Sequence, residues 1–127
     1  MQHDDILSAF EYAFDSQRGY VTDLANPTLQ PVGKIVQGVW YIRHRGEDVR
    51  VLNFIWFALH GTWPWDHAKP LDRNVENCHP SNILVGTGPE VNRYRAVVRK
   101  AAALGRQPDR QHLRDSGAVS AAEGLLW

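Results

Sequence analysis

The chain of 127 residues has little sulfur: one cysteine and one methionine. A single cysteine excludes an internal disulfide. It also excludes a zinc site built within one chain from four cysteines, or from two cysteines and two histidines. The composition therefore favours a reducing, cytosolic setting, and it predicts a fold that depends on packing without a structural zinc ion.

Net charge and long apolar runs are also lacking. Fourteen basic and fourteen acidic residues balance to zero net charge, which argues weakly against a nucleic-acid-binding protein. The longest apolar run, at 51–61, is too short to cross a bilayer. The N-terminus lacks the basic segment that opens a secretory signal peptide. We therefore expect a cytoplasmic protein that makes no contact with a membrane.

What remains is an ordinary globular composition, with 43% hydrophobic and 22% charged residues. A chain of this length can form one domain with a substantial core. Ile6, Leu7, Phe10 and Phe14 follow one another at helical spacing, which predicts a helix over residues 4–15. A turn at Gly19 then leads into a short predicted strand.

The middle of the chain predicts a β-hairpin over residues 39–51 and then a buried helix over 51–61. Gly61 is suited to end that helix. A second helix is predicted over 89–104, and a short third one from Pro108. The expected core material includes four tryptophans: Trp40, Trp56, Trp63 and Trp65.

One segment, "WPWDHAKPLDRNVENCHPSNIL" at 63–84, concentrates the groups that bind metals or move protons. Its carboxylate and amide oxygens are ligands for a hard cation such as magnesium, manganese or calcium. A neutral histidine beside such an ion can take a proton from water. These residue types suit hydrolysis of a phosphodiester. The alternative is a polar loop in which the asparagines cap turns.

The same segment resembles the HNH endonuclease family in its bacteriophage form. The matching pieces are "GTWP" at 61–64, "DH" at 66–67, "ENCHPSNIL" at 76–84, and "NILVGT" followed by Asn92. The likeness extends over most of 6–105. It implies a ββα-metal motif, one divalent cation (magnesium or manganese) and cleavage or nicking of double-stranded DNA in a bacterial host cell.

The resemblance also implies a role for each polar residue of the segment. His67 corresponds to the general base that activates water, and Asp66 to a metal ligand. Asn82 corresponds to the second protein ligand, and Asn77 to the asparagine that holds the loop. His79 is a weaker candidate for a ligand or a phosphate contact.

The predicted exit helix is rich in basic residues, which supply sequence-independent affinity for a phosphate backbone. From Ile83 to Arg114 there are seven basic residues against two acidic ones. A charged, solvated helix face is the alternative explanation. The candidate DNA contacts are Arg93, Arg95, Arg99 and Lys100.

The sequence departs from the family pattern in several places, two of which bear on activity. "AKPL" at 68–71 resembles an insertion after Asp-His, and Asn53-Phe54 stands where phage members carry His-Arg. These departures leave a second hypothesis open, a catalytically degenerate HNH protein that binds or inhibits a host factor. A purely structural phage component is a third and weaker one.

The fold class that follows is α+β: a small antiparallel sheet with helices around a ββα-metal motif. We predict one HNH-like domain over 1–105, with an N-terminal helix and hairpin in 1–62 and the metal motif in 63–104. Residues 106–127 are predicted to form a helical C-terminal appendage.

Overall fold

A computed structural model describes residues 12–15, 20–26, 28, 32–44, 46–107 and 110–122. It has the predicted α+β class, with antiparallel sheets and helices. The helices are α1 (Val51–His60), α2 (Gly88–Ala103) and α3 (Arg110–Ser116). The strands are β1 (Tyr12–Asp15), β2 (Tyr20–Asp23), β3 (Lys34–Val36), β4 (Val39–His44), β5 (Glu47–Arg50), β6 (Ala68–Pro70), β7 (Ile83–Val85) and β8 (Val119–Ser120).

The strands of the described residues form three small antiparallel sheets, ordered β1-β2, β3-β4-β5 and β6-β7-β8. The predicted hairpin over 39–51 is the pair β4-β5, in which Tyr41 lies opposite Arg50. Strand β5 passes directly into α1, so the hairpin packs against the helix that follows it. The strand predicted after Gly19 is β2.

Helix α1 is the centre of the core, because apolar residues lie on nearly all of its faces. Gly61 ends it in a left-handed conformation (φ 76°) and donates its N–H to the carbonyl of Phe57 at 2.8 Å. Asn53 is the polar residue in the middle of the helix and is only half-buried. The buried side chains are Val51, Leu52, Phe54, Ile55, Trp56 and Phe57.

Strands β6 and β7 and helix α2 follow one another as a β–β–α unit. Helix α2 matches the helix predicted over 89–104. Thr87 caps it and exchanges hydrogen bonds with Glu90, a capping box that satisfies two N–H groups at the helix start. The unit therefore has a well-defined corner where β7 turns into α2.

The helix predicted over 4–15 is wrong at residues 12–15, which form strand β1; residues 4–11 lie outside the described part of the chain. Tyr12 and Phe14 are two residues apart, so a strand places both on one side, where they pack against the core. Pairing with β2 outweighs the helical spacing of a short apolar run, which does not distinguish a helix from a strand.

The prediction that four tryptophans lie in the core holds for two of them. Trp40 and Trp56 are buried, but Trp63 and Trp65 are 48% and 65% exposed. Trp63 stacks on Phe57 with ring centroids 5.0 Å apart, and Trp65 meets Trp56 edge-on at 5.9 Å. Both tryptophans follow the end of α1, and they cover its surface from outside.

The segment after residue 105 contains α3 and then β8, which pairs with β7 as the third strand of its sheet. Ala121 donates its N–H to the carbonyl of Ile83 at 2.8 Å. Residues 123–127 lie outside the described part. Within the described ranges, each helix falls short of the length and apolar character that crossing a bilayer demands.

Candidate active site at the start of strand β6

Asp66 and His67 lie between the end of α1 and the start of β6, where the chain bends. The bend lets the Asp66 carboxylate accept the backbone N–H of His67 at 2.7 Å. This hydrogen bond, together with the positive charge of Lys69, lowers the pKa of Asp66 although burial opposes the shift. Asp66 is therefore an ionised carboxylate at neutral pH.

The His67 ring is exposed, and Asn53 of helix α1 holds it in place. Nδ2 of Asn53 lies 3.2 Å from Nδ1 of His67. Oδ1 of the same amide accepts the backbone N–H of Ala68 at 2.8 Å. One side chain of the buried helix thus fixes both the histidine and the first residue of β6.

Lys69 closes this end of the β6-β7 ladder. Its ammonium donates to the carbonyl of His67 at 2.9 Å and to the carbonyl of Gly86 at 2.7 Å. It also lies 3.5 Å from the carboxylate of Asp66. His67 therefore lies beside the corner where β7 enters α2. The positively charged side chain next to Asp66 is the Lys69 ammonium.

Glu90 adds a second carboxylate at this corner. Its pKa is lowered by the hydrogen bond from the backbone of Thr87 and by the Thr87 hydroxyl, while the charge of Asp66 acts in the opposite direction. Two carboxylates, Asp66 and Glu90, therefore lie within electrostatic range of one another at the N-terminus of α2.

The loop between β6 and β7 is held by Asp72, Asn77 and Asn82. Asn77 donates from Nδ2 to Asp72 at 2.9 Å and accepts the His79 N–H at 3.3 Å. Asn82 accepts the Asp72 N–H at 3.0 Å and donates to the Asn77 carbonyl at 3.0 Å. Burial raises the pKa of Asp72, but hydrogen bonds from Asn77, Asn74 and Asn82 outweigh it and leave the pKa lowered.

Asn82 and Asp66 lie at opposite ends of the β6-β7 ladder. Ala68 pairs with Val85 at one end, while the Leu71 N–H donates to the Asn82 carbonyl at the other. Three residue steps separate Ala68 from Leu71, about 10 Å of strand. Two oxygens on one magnesium ion lie at most about 4 Å apart. The Asn82 side chain also turns into the loop, so the structure does not bring the two expected ligands together.

His79 acts within the same loop. It precedes the short 3-10 turn Pro80–Asn82, and its Nδ1 accepts the Ser81 N–H at 3.2 Å. The Ser81 hydroxyl lies 2.7 Å from that nitrogen. The ring is thus engaged in capping the turn, at the far end of the ladder from His67.

The four basic residues expected to contact DNA divide into two pairs. Arg93 donates to the Ser116 carbonyl at 3.1 Å. Arg95 donates to the carbonyls of Leu71, at 3.2 Å, and Pro70. Arg93 and Arg95 therefore tie α2 to its neighbours. The second pair is exposed along α2 and open to solvent: Arg99 and Lys100.

The described residues contain no group of three histidine, cysteine, aspartate or glutamate side chains arranged to hold a metal ion. Magnesium, however, is often bound through one or two carboxylates, water and substrate phosphates. Asp66 supplies one carboxylate of that kind, while Glu90 is engaged in the cap of α2. The site fits a cation that binds together with its substrate, and Asn82 takes no part in it.

Sequence reasoning missed four of the residues described here: Asn53, Lys69, Asp72 and Glu90. Asn53 carried a signal, since it is a polar residue in an apolar helix. His60, seven residues later on the same face, contacts the Ala121 carbonyl through Nε2 at 3.0 Å. Nothing in the pattern indicated that Asn53 faces His67, because the contact joins residues 14 positions apart.

Comparisons with known proteins identify no relative: no family model, curated protein or solved structure matches this chain.

Proposed function

We propose that this protein is a metal-dependent DNA endonuclease or nickase of the HNH type. One observation carries the proposal: an exposed histidine, next to an ionised aspartate, is held by a buried helix at the first strand of a β–β–α unit. This arrangement presents a proton acceptor and a metal-binding oxygen on the same short bend.

His67 is the group that takes a proton from the attacking water. A neutral histidine ring is a competent base. Asn53 orients the ring before water and phosphate bind, so the base is positioned in advance. Asp72, Asn77 and Asn82 hold the loop at the other end of the β6-β7 ladder and do not enter the reaction.

Asp66 is the protein ligand for a divalent cation, magnesium or manganese. When bound, such a cation stabilises the negative charge that develops on a phosphoryl oxygen. The backbone N–H of His67 and, second, the positive charge of Lys69 at 3.5 Å lower the pKa of Asp66. Asp66 is thus prepared to bind a cation once a DNA phosphate supplies further oxygens.

The proposed substrate is double-stranded DNA in the cytoplasm of a bacterial host cell, as the likeness to phage proteins implies. Arg99 and Lys100 project from α2 into solvent and are available for phosphates. Binding of this kind is independent of sequence and weakens as salt rises.

The test is cleavage of supercoiled plasmid by the wild-type protein and by His67→Ala, with magnesium, with manganese and with EDTA. We expect metal-dependent nicking or linearisation that the variant loses, since removal of a general base costs roughly 10²–10⁴-fold in rate. His79→Ala is the matched control, because His79 is an exposed histidine that caps a turn.

Circular dichroism checks that both variants are folded. Equal cleavage by His67→Ala and wild type would show that His67 is not the base. Equal losses in His67→Ala and His79→Ala would show that the loss does not identify an active site.

The second candidate is a catalytically degenerate HNH protein that binds or inhibits a host factor. The separation of Asp66 from Asn82 favours it, because the expected pair of metal ligands is not assembled. Lys69 favours it too, since an ammonium beside Asp66 supplies positive charge that a metal would otherwise bring.

Manganese binding by isothermal titration, with and without a short DNA duplex, separates the two candidates. The nuclease requires a cation to bind when DNA is present and to be lost in Asp66→Ala. The degenerate protein requires no cation binding and no cleavage from a folded chain, together with a specific partner recovered from host lysate.

A further inference from the structure

The contact between Asn53 and His67 determines which ring nitrogen carries the proton. The orientation of the Asn53 amide is set by its other contact, because the backbone N–H of Ala68 is a donor and needs an acceptor. Oδ1 therefore faces Ala68, and Nδ2 faces His67 at 3.2 Å. A reversed amide would place two donors against each other at Ala68.

An amide NH₂ group can only donate, so Nδ1 of His67 must accept. We infer that Asn53 is a positioning residue that holds neutral His67 in the tautomer with its hydrogen on Nε2. The neutral ring then offers an N–H at Nε2 and a lone pair at Nδ1. This inference deepens the proposed function. The role of the tautomer in catalysis rests on that proposal, but the tautomer itself does not.

For the proposed hydrolysis, this tautomer determines which ring nitrogen of His67 receives the proton from water. The proton moves from the water oxygen to Nδ1, the water oxygen forms its bond to phosphorus, and the P–O bond to the leaving sugar oxygen breaks. Asn53 must release Nδ1 before water can approach it. Nε2–H stays available throughout as a hydrogen-bond donor to a phosphate oxygen, which suits an exposed ring.

The most direct test is ¹⁵N NMR of the histidine rings in wild type, Asn53→Asp and Asn53→Ala, at about pH 8.5, where an ordinary histidine is neutral. Asn53→Asp is nearly isosteric and keeps the acceptor for Ala68, but it presents an oxygen to Nδ1. Correlations from ring carbon-bound hydrogens identify which nitrogen lacks a proton.

In wild type we expect Nδ1 of His67 to be the unprotonated nitrogen. In Asn53→Asp the order reverses, with the hydrogen on Nδ1 and the lone pair on Nε2. Asn53→Ala offers Nδ1 of His67 neither a donor nor an acceptor, and it gives a mixture of both tautomers. His60 is the internal reference, because its Nε2 faces the Ala121 carbonyl and must carry a hydrogen in all three proteins.

A wild-type His67 with its hydrogen on Nδ1 would overturn the inference, as would identical tautomer populations in wild type and Asn53→Ala. Because the measurement needs neither metal nor DNA, it is separate from the nuclease proposal. The expected tautomers in a protein that cuts no DNA would support the inference while the proposed activity failed.

Discussion

Asn82 accepts the backbone N–H of Asp72 through Oδ1, 3.0 Å across the loop between β6 and β7. Its Nδ2 donates to the Asn77 carbonyl at the same distance. Both ends of the amide are thus engaged in holding the loop, and the residue is only 6% exposed. Asn82 is therefore a structural residue in this fold, whatever chemistry takes place at His67.

Asn82→Ala is expected to destabilise the protein. The substitution removes both bonds in a buried setting, and we expect the free energy of unfolding to fall by about 1–3 kcal/mol. Urea denaturation measures it. Arg99→Ala, at an exposed position on α2, is the control and should change stability by less than about 0.5 kcal/mol. An unchanged midpoint for Asn82→Ala would show that the loop does not depend on this amide.

Arg95→Lys tests whether the guanidinium is structural. Arg95 reaches the carbonyls of Leu71 and Pro70 from two different nitrogens, and a lysine ammonium cannot reproduce that fork. We expect the free energy of unfolding to fall by about 1.5–3 kcal/mol. DNA affinity of the folded variant should keep the salt dependence of the wild type. An unchanged free energy of unfolding in Arg95→Lys would show that the guanidinium is not structural.

Arg99→Ala and Lys100→Ala are expected to weaken DNA binding without affecting stability. Each should leave stability unchanged and reduce the slope of log affinity against log salt by about 0.9, the contribution of one phosphate contact. Fluorescence anisotropy with a short duplex, in a His67→Ala background, measures the slope. Identical slopes for wild type and both variants would place the DNA-binding surface elsewhere.

Acid should weaken the loop at Asp72. Its folded-state pKa is below the ordinary value of 3.8, so its stabilising effect is present above that value and is lost as pH falls through the folded pKa. Asp72→Asn lacks this charge at every pH. The stability difference between wild type and Asp72→Asn should therefore be constant above about pH 5 and shrink as pH falls below about 4. A constant difference would exclude the carboxylate as the cause.

Cys78 should be chemically inert in the native protein. Burial, with a smaller contribution from the charge of Glu76, raises the pKa of its thiol to about 12. Only the thiolate reacts rapidly with alkylating or disulfide reagents. We expect no labelling in buffer near neutral pH and complete labelling in urea. Rapid labelling of the folded protein would show that the side chain is accessible.

The local sequence pattern was enough to predict helices α1 and α2, whose apolar residues and end residues agree with one another. Helix α1 is apolar on nearly all faces and ends at Gly61, and helix α2 begins after Thr87 and ends before Gly105. Such signals act over a few residues, through capping and burial. The strand at 12–15 was mispredicted because it forms by pairing with β2, and the apolar spacing over residues 4–15 does not include β2.

The sequence by itself determined that residues 63–84 would concentrate ionisable and amide side chains, because their identity and order are properties of the chain. Only the tertiary structure decided their partners. The antiparallel register of β6 and β7 separates Asn82 from Asp66, and the packing of α1 against β6 brings Asn53 to His67. Hydrogen bonds act over about 3 Å, so residue spacing predicts which groups are present but not which of them meet.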